Sequence, residues 1–125
     1  MFDVDDIRDW VGLAVVDQEG SKIGSLEAVY YDTSTDVAKF GTVKVGFPGG
    51  GRLIFVPLDG ARVSPKALRV QTTKKVAKLA PAIDTDGQLE SDAEPGVYAH
   101  YGLDYERGAS GERRLGRRYG LETLA

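Results

Sequence analysis

The sequence predicts a mainly β protein, a small and strongly bent antiparallel barrel or sandwich. Three observations carry this. Short apolar runs recur between clusters of Gly, Pro, Asp and Ser. No apolar pattern is long enough for an extended helix. Strand-like and helix-like segments do not alternate as a parallel βαβ fold requires.

The chain opens on an acidic lead-in, MFDVDDIRDW. Asp3 or Asp5 can cap a helical turn that puts Ile7 and Trp10 on one face. Trp10, the only tryptophan, reads as a plug for one end of the core, with stacking on a ligand or partner as the alternative. The next stretch, VGLAVVDQEGSKIGSLEAVYYD, reads as a β-hairpin over residues 11–32. Its first strand covers about 13–16 and its second about 22–31, with a turn at Asp17-Gln18-Glu19-Gly20. Ile23, Leu26, Val29 and Tyr31 do not keep a strict period of two. Gly24 therefore marks a bulge or a close backbone approach.

A turn cluster, Asp32-Thr33-Ser34-Thr35-Asp36, leads to a third strand over about 38–47. There Val43, Val45 and Phe47 form the core-facing set, and Phe40, Thr42 and Lys44 form the other. Pro48-Gly49-Gly50-Gly51 is a hairpin loop; it leads into a strand, whereas a phosphate loop leads into a helix N-terminus. RLIFVP, residues 52–57, is the continuous apolar run of a well-buried strand, and Pro57 suits its end. A break at Ser64-Pro65 precedes a last strand over about 67–71. Thr72 or Thr73 then caps a short helix, with Val76 and Leu79 expected to face inward and Ala80-Pro81 stopping it.

Charge divides the rest of the chain. Residues 60–83 hold six basic side chains and no acidic one; residues 84–94 hold five acidic and no basic one. The switch places the boundaries: 1–83 as the barrel with its lead-in, 84–94 as an acidic linker, and 95–125 as a C-terminal extension. In the extension Pro95 opens a short helix with Val97, Tyr98 and Tyr101 as its apolar stripe. Residues 107–118 hold five arginines among Gly and Ser, a composition of weak or partner-dependent order.

Composition removes several functional classes. With no cysteine there is no disulfide framework, thiolate metal site or thiol nucleophile. The net charge of −3 gives no global attraction for nucleic acid or anionic lipid. No run of about 20 apolar residues offers a membrane span. The acidic start is unlike a signal peptide, so a cytoplasmic location is expected. His100 is the only histidine, and no adjacent carboxylate or Ser makes it half of a nucleophile–base pair. The Asp84–Asp86–Gly87 cluster has its glycine in the wrong place for an EF-hand loop and no Glu at the twelfth position. No catalytic residue, metal ligand or cofactor site is expected.

The series Val11-Gly12, Val16, Asp17, Gly20, Ile23-Gly24, Leu26, Val29, Asp32, then Phe55-Val56-Pro57-Leu58, then Leu79-Ala80-Pro81, resembles the PRC-barrel family over about residues 10–83. That family takes its name from the cytoplasmic domain of the photosynthetic reaction-centre H subunit. The later EPGVYAHYGLDY segment is similar to one that follows the barrel in stand-alone bacterial members. The resemblance implies a β-barrel of about six strands and a role in assembly, with no catalytic residues. The expected function is a non-catalytic protein-interaction module, and a homodimer suits it. The candidate partner-binding residues are Trp10, Tyr98, His100, Tyr101, Tyr105, Arg113, Arg114, Arg117 and Arg118. An RNA- or ribosome-associated role is the alternative, resting on the family analogy, the arginine doublets and Lys74, Lys75 and Lys78; the net acidity disfavours nucleic acid. A photosynthetic accessory role follows from the analogy alone.

Overall fold

The structure is a computed structural model that describes residues 10–46, 51–84, 87–105 and 114–118. The expected turn before Trp10, Phe47, most of the glycine loop, Asp86 and Arg113 lie outside the described residues. Eight strands are described: β1 (Ala14–Val16), β2 (Lys22–Asp32), β3 (Ala38–Val45), β4 (Arg52–Pro57), β5 (Arg62–Val63), β6 (Ala67–Arg69), β7 (Ala82–Asp84) and β8 (Leu115–Arg118). Two helices, α1 (Lys74–Lys78) and α2 (Glu94–His100), complete them, with a 3-10 turn at Ser91–Ala93. The fold is the expected mainly β one, as a single curled sheet in the order β5-β6-β1-β2-β3-β4-β7 with β8 also against β2. The antiparallel expectation needs one correction: β1 pairs with β6 in parallel. The chain crosses over through β2–β5 before β6 returns beside β1, and a long connection permits that direction.

β2 organises the sheet. It is 11 residues long. β1 pairs with its first part, Ala14 opposite Ser25. β8 pairs with its last part, Val29 opposite Arg118 and Asp32 opposite Leu115. β3 fills the other edge, so β1 and β8 lie end to end along one edge of β2. The uneven apolar spacing in β2 has a visible cause. The register with β3 shifts between Leu26 and Ala28, and again between Tyr30 and Tyr31. Each shift bends the strand and re-aims its side chains. Gly24 is a close approach: a Cβ there would sit 2.1 Å from the Lys44 carbonyl oxygen of β3.

The sheet buries both of its faces. On the inner side Val15, Leu26, Val29, Val43, Ile54, Val56 and Leu68 pack with Trp10 and Ala77. On the outer side Tyr30, Phe40 and Phe55 pack with Leu89, Val97, Tyr98 and Leu115. This corrects three expectations. Phe40 and Thr42, from the set expected opposite the core, are fully buried: Phe40 lies under α2 and β8, and Thr42 donates to Glu27 and the Ala28 carbonyl of β2. Segment 84–94, expected to be an acidic linker, begins in β7, which pairs with β4, and buries Leu89 and Glu94. The arginine tail, expected to be weakly ordered, supplies β8.

Helix α1 differs from expectation in its orientation. Thr73 caps it as predicted, its Oγ1 accepting the Val76 N–H at 3.2 Å. Yet Ala77 and Ala80 face inward, while Val76 and Leu79 face solvent. Small side chains let the helix lie close against β2 and β4. Asp17, buried in the first hairpin turn, anchors it. One Asp17 oxygen accepts the N–H groups of Glu19 and Ser21, and the other accepts that of Lys74, each at 2.9 Å. The Lys74 N–H is the chief reason the Asp17 carboxyl lies below the usual carboxylate range, ahead of the opposing cost of burial.

Candidate interaction surface

Most of the residues nominated from the sequence are engaged within their own chain. Trp10 is 4% exposed and belongs to the inner core. Tyr98 is 6% exposed and stacks edge-on against Phe40 and Tyr105. The Tyr101 hydroxyl donates to the Phe55 carbonyl of β4. His100 places Nε2 2.8 Å from the Val76 carbonyl oxygen, tying α2 to α1. Arg114 Nε donates to Asp32 Oδ2 at 2.8 Å, and Arg117 donates to the Gly87 carbonyl at 2.9 Å. Arg118 stands opposite Val29 in the β2–β8 ladder. Burial leaves little of Trp10 and Tyr98 for a partner to contact.

A polar clasp explains how the tail is held. Glu94, fully buried at the start of α2, accepts the backbone N–H groups of Arg114 and Leu115 at 3.0 and 2.9 Å. It also accepts the Tyr105 hydroxyl at 2.7 Å. Asp32 holds the same segment through Arg114 and closes its own turn by accepting the Ser34 and Thr35 N–H groups. Burial pushes the Asp32 carboxyl up, but the Arg114 hydrogen bond, the two N–H groups and the Arg114 charge together outweigh it and leave it below the usual range. Gly116 lets β8 settle against β2, since a Cβ there would fall 2.6 Å from the Tyr31 ring. Neither Asp32 nor Glu94 stands out in the sequence as a binding group. Asp32 reads as a turn former and Glu94 as part of an acidic linker, and their bonds to the distant Arg114–Leu115 segment carry no local signal.

The cleft beside this clasp, about 160 Å³, is lined by Asp32, Lys39, Tyr98, Asp104 and Arg114. The Tyr98 hydroxyl is buried there without a hydrogen-bond partner. Burial, followed by the Asp32 charge, pushes its pKa up to about 12. A neutral phenol with two acids and two cations around it is no general base at neutral pH. Among the described residues, no three His, Asp or Glu side chains gather to hold a metal ion. No helix among them is long and apolar enough to cross a membrane.

The outward side of α1 is different in kind. Leu79 is 74% exposed and Val76 39%. They lie three residues apart and so share a face. Lys75 and Lys78 are exposed beside them, Lys74 precedes them, and Arg52 reaches the helix end by donating to the Lys78 carbonyl at 3.4 Å. Arg69 extends the basic surface past the Asp17 turn, donating to the Gln18 carbonyl at 3.0 Å, and Arg62 stands opposite it across β5 and β6. Sequence reasoning misses this apolar spot and the lysines beside it, because it assigns Val76 and Leu79 to the core.

A search of curated proteins finds no match to this chain. A family model for the PRC-barrel domain matches residues 2–77, from the lead-in through most of α1. The α2 and β8 segments lie beyond that match. The sheet order, the bulged central hairpin and this match, which covers more than half of the sequence, agree: the chain belongs to the PRC-barrel domain family.

Proposed function

We propose that the protein is a non-catalytic interaction module that docks a protein partner on the outer side of α1. One observation carries the reading: Leu79, the most exposed large apolar side chain among the described residues, stands with Val76 beside exposed lysines. Leaving Leu79 in water brings the fold no gain, whereas covering it contributes about 1.5–3 kcal/mol to a complex. The aromatic tail, by contrast, meets its needs within the chain. The only histidine is engaged with a backbone carbonyl, which supports a binding role over acid–base chemistry.

The test is affinity capture from cell extract with the full chain, beside a Val76→Ser/Leu79→Ser variant. Both side chains are outside the core, so the variant keeps its fold, and its melting curve checks this. The expected result is at least one partner that the variant loses. Identical captured sets contradict the reading.

A further inference from the structure

We infer that the partner presents an acidic segment carrying a large apolar side chain, and that this segment seats on α1 with the apolar group against Val76 and Leu79. The inference rests on the interaction-module reading and gives the partner a chemistry.

Charge complementarity is the first argument. Residues 60–83 contain no acid at all in a chain of net charge −3. Five of their six cations lie on the β5–β6 ladder and α1. Arg62 and Arg69 face each other across β5 and β6. Like charges placed directly opposite are unfavourable unless an anion lies near. Arg69 and Lys74 both meet the Asp17 turn, whose buried carboxylate takes the Lys74 N–H, and exposed cations resume along the helix. Lys75 and Lys78 are exposed next to the apolar pair. Asp59 and Asp84 bound this stretch along the chain, and Asp84 stands opposite Arg52 in the β4–β7 register.

The apolar pair decides between polyanions. A nucleic-acid backbone gains from the lysines but has no use for an exposed leucine, and the net negative chain repels it. An anionic membrane can accept both, yet interfacial helices hold on through a long apolar face, and α1 has five residues. A protein interface combines an apolar centre with charged groups at its margin, and Val76 and Leu79 beside Lys75, Lys78 and Arg52 supply both.

The experiment is fluorescence anisotropy with the full chain and a labelled synthetic peptide rich in Glu, with Leu at every third or fourth position. A Lys-for-Glu version of that peptide, labelled single-stranded RNA and phosphatidylserine vesicles are the comparisons. The Glu peptide is expected to bind, and its affinity to fall about tenfold with Leu79→Ser and about tenfold with Lys75→Glu/Lys78→Glu, with rising salt weakening it as well. Amide shifts on binding are expected to centre on residues 74–80. The inference is overturned if the Glu peptide does not bind, if Leu79→Ser leaves its binding unchanged, or if RNA or vesicles bind more tightly. Failure here beside a captured partner that needs Leu79 removes the acidic chemistry alone. Failure of both removes the docking face.

Discussion

Tyr98 and Tyr101 lie three residues apart along the chain at α2, and they predict opposite outcomes for one substitution. The Tyr98 hydroxyl is buried with no partner, so it carries a desolvation cost and no hydrogen bond in return. Tyr98→Phe is expected to leave stability unchanged or raise it by up to about 1 kcal/mol. The Tyr101 hydroxyl donates to the Phe55 carbonyl in the buried strand β4. Tyr101→Phe is expected to cost about 1–2 kcal/mol, read by urea denaturation. Asp32 gives a pH prediction at the same scale. Its folded pKa is depressed, so its stabilising contribution is complete above the unfolded carboxyl value and fades as pH falls through the lower folded one. Stability is therefore expected to drop below about pH 4, and Asp32→Asn to flatten that part of the profile in thermal melts across about pH 2–7.

At the scale of elements, β2 shows what a sequence displays and what it hides. Its broken alternation correctly signals an irregularity at Gly24, and the contact with Lys44 explains why glycine is needed. Gly24→Ala forces β2 and β3 apart and is expected to destabilise by about 3 kcal/mol or more, measured by denaturant unfolding. The position of β4 and the Thr73 cap are also legible, because an unbroken apolar run and a hydroxyl before a helix are local signals. The outer face is not legible. Reading alternation assumes that one face of a sheet is wet, yet Phe40 is covered by α2 and β8, at least 50 residues further along the chain. Helix α1 misleads for a different reason. Val76/Leu79 and Ala77/Ala80 have the same spacing, and the larger pair looks like the core pair. Only the narrow space above β2 and β4 selects the alanines.

For the whole molecule, the division of labour is the main result. The tail expected to reach for partners adds strand β8 to the sheet beside β2. Its polar clasp at Glu94 and Asp32 and its buried Leu115 hold β8 on the free edge of β2. An unpaired edge of that kind otherwise invites association. The candidate docking face is hidden from sequence reading by the same inversion: residues that look like surface contacts are core, and two that look like core are surface.

The most direct test of this division is urea denaturation of the full chain carrying Leu115→Ala or Leu79→Ala. Leu115 is fully buried and Leu79 is 74% exposed. The account predicts a loss of about 2–4 kcal/mol for Leu115→Ala and a change within about 0.5 kcal/mol for Leu79→Ala. Near-equal values, or a larger loss at Leu79, would contradict it: the tail would then be dispensable to the fold and the outward side of α1 would belong to the core.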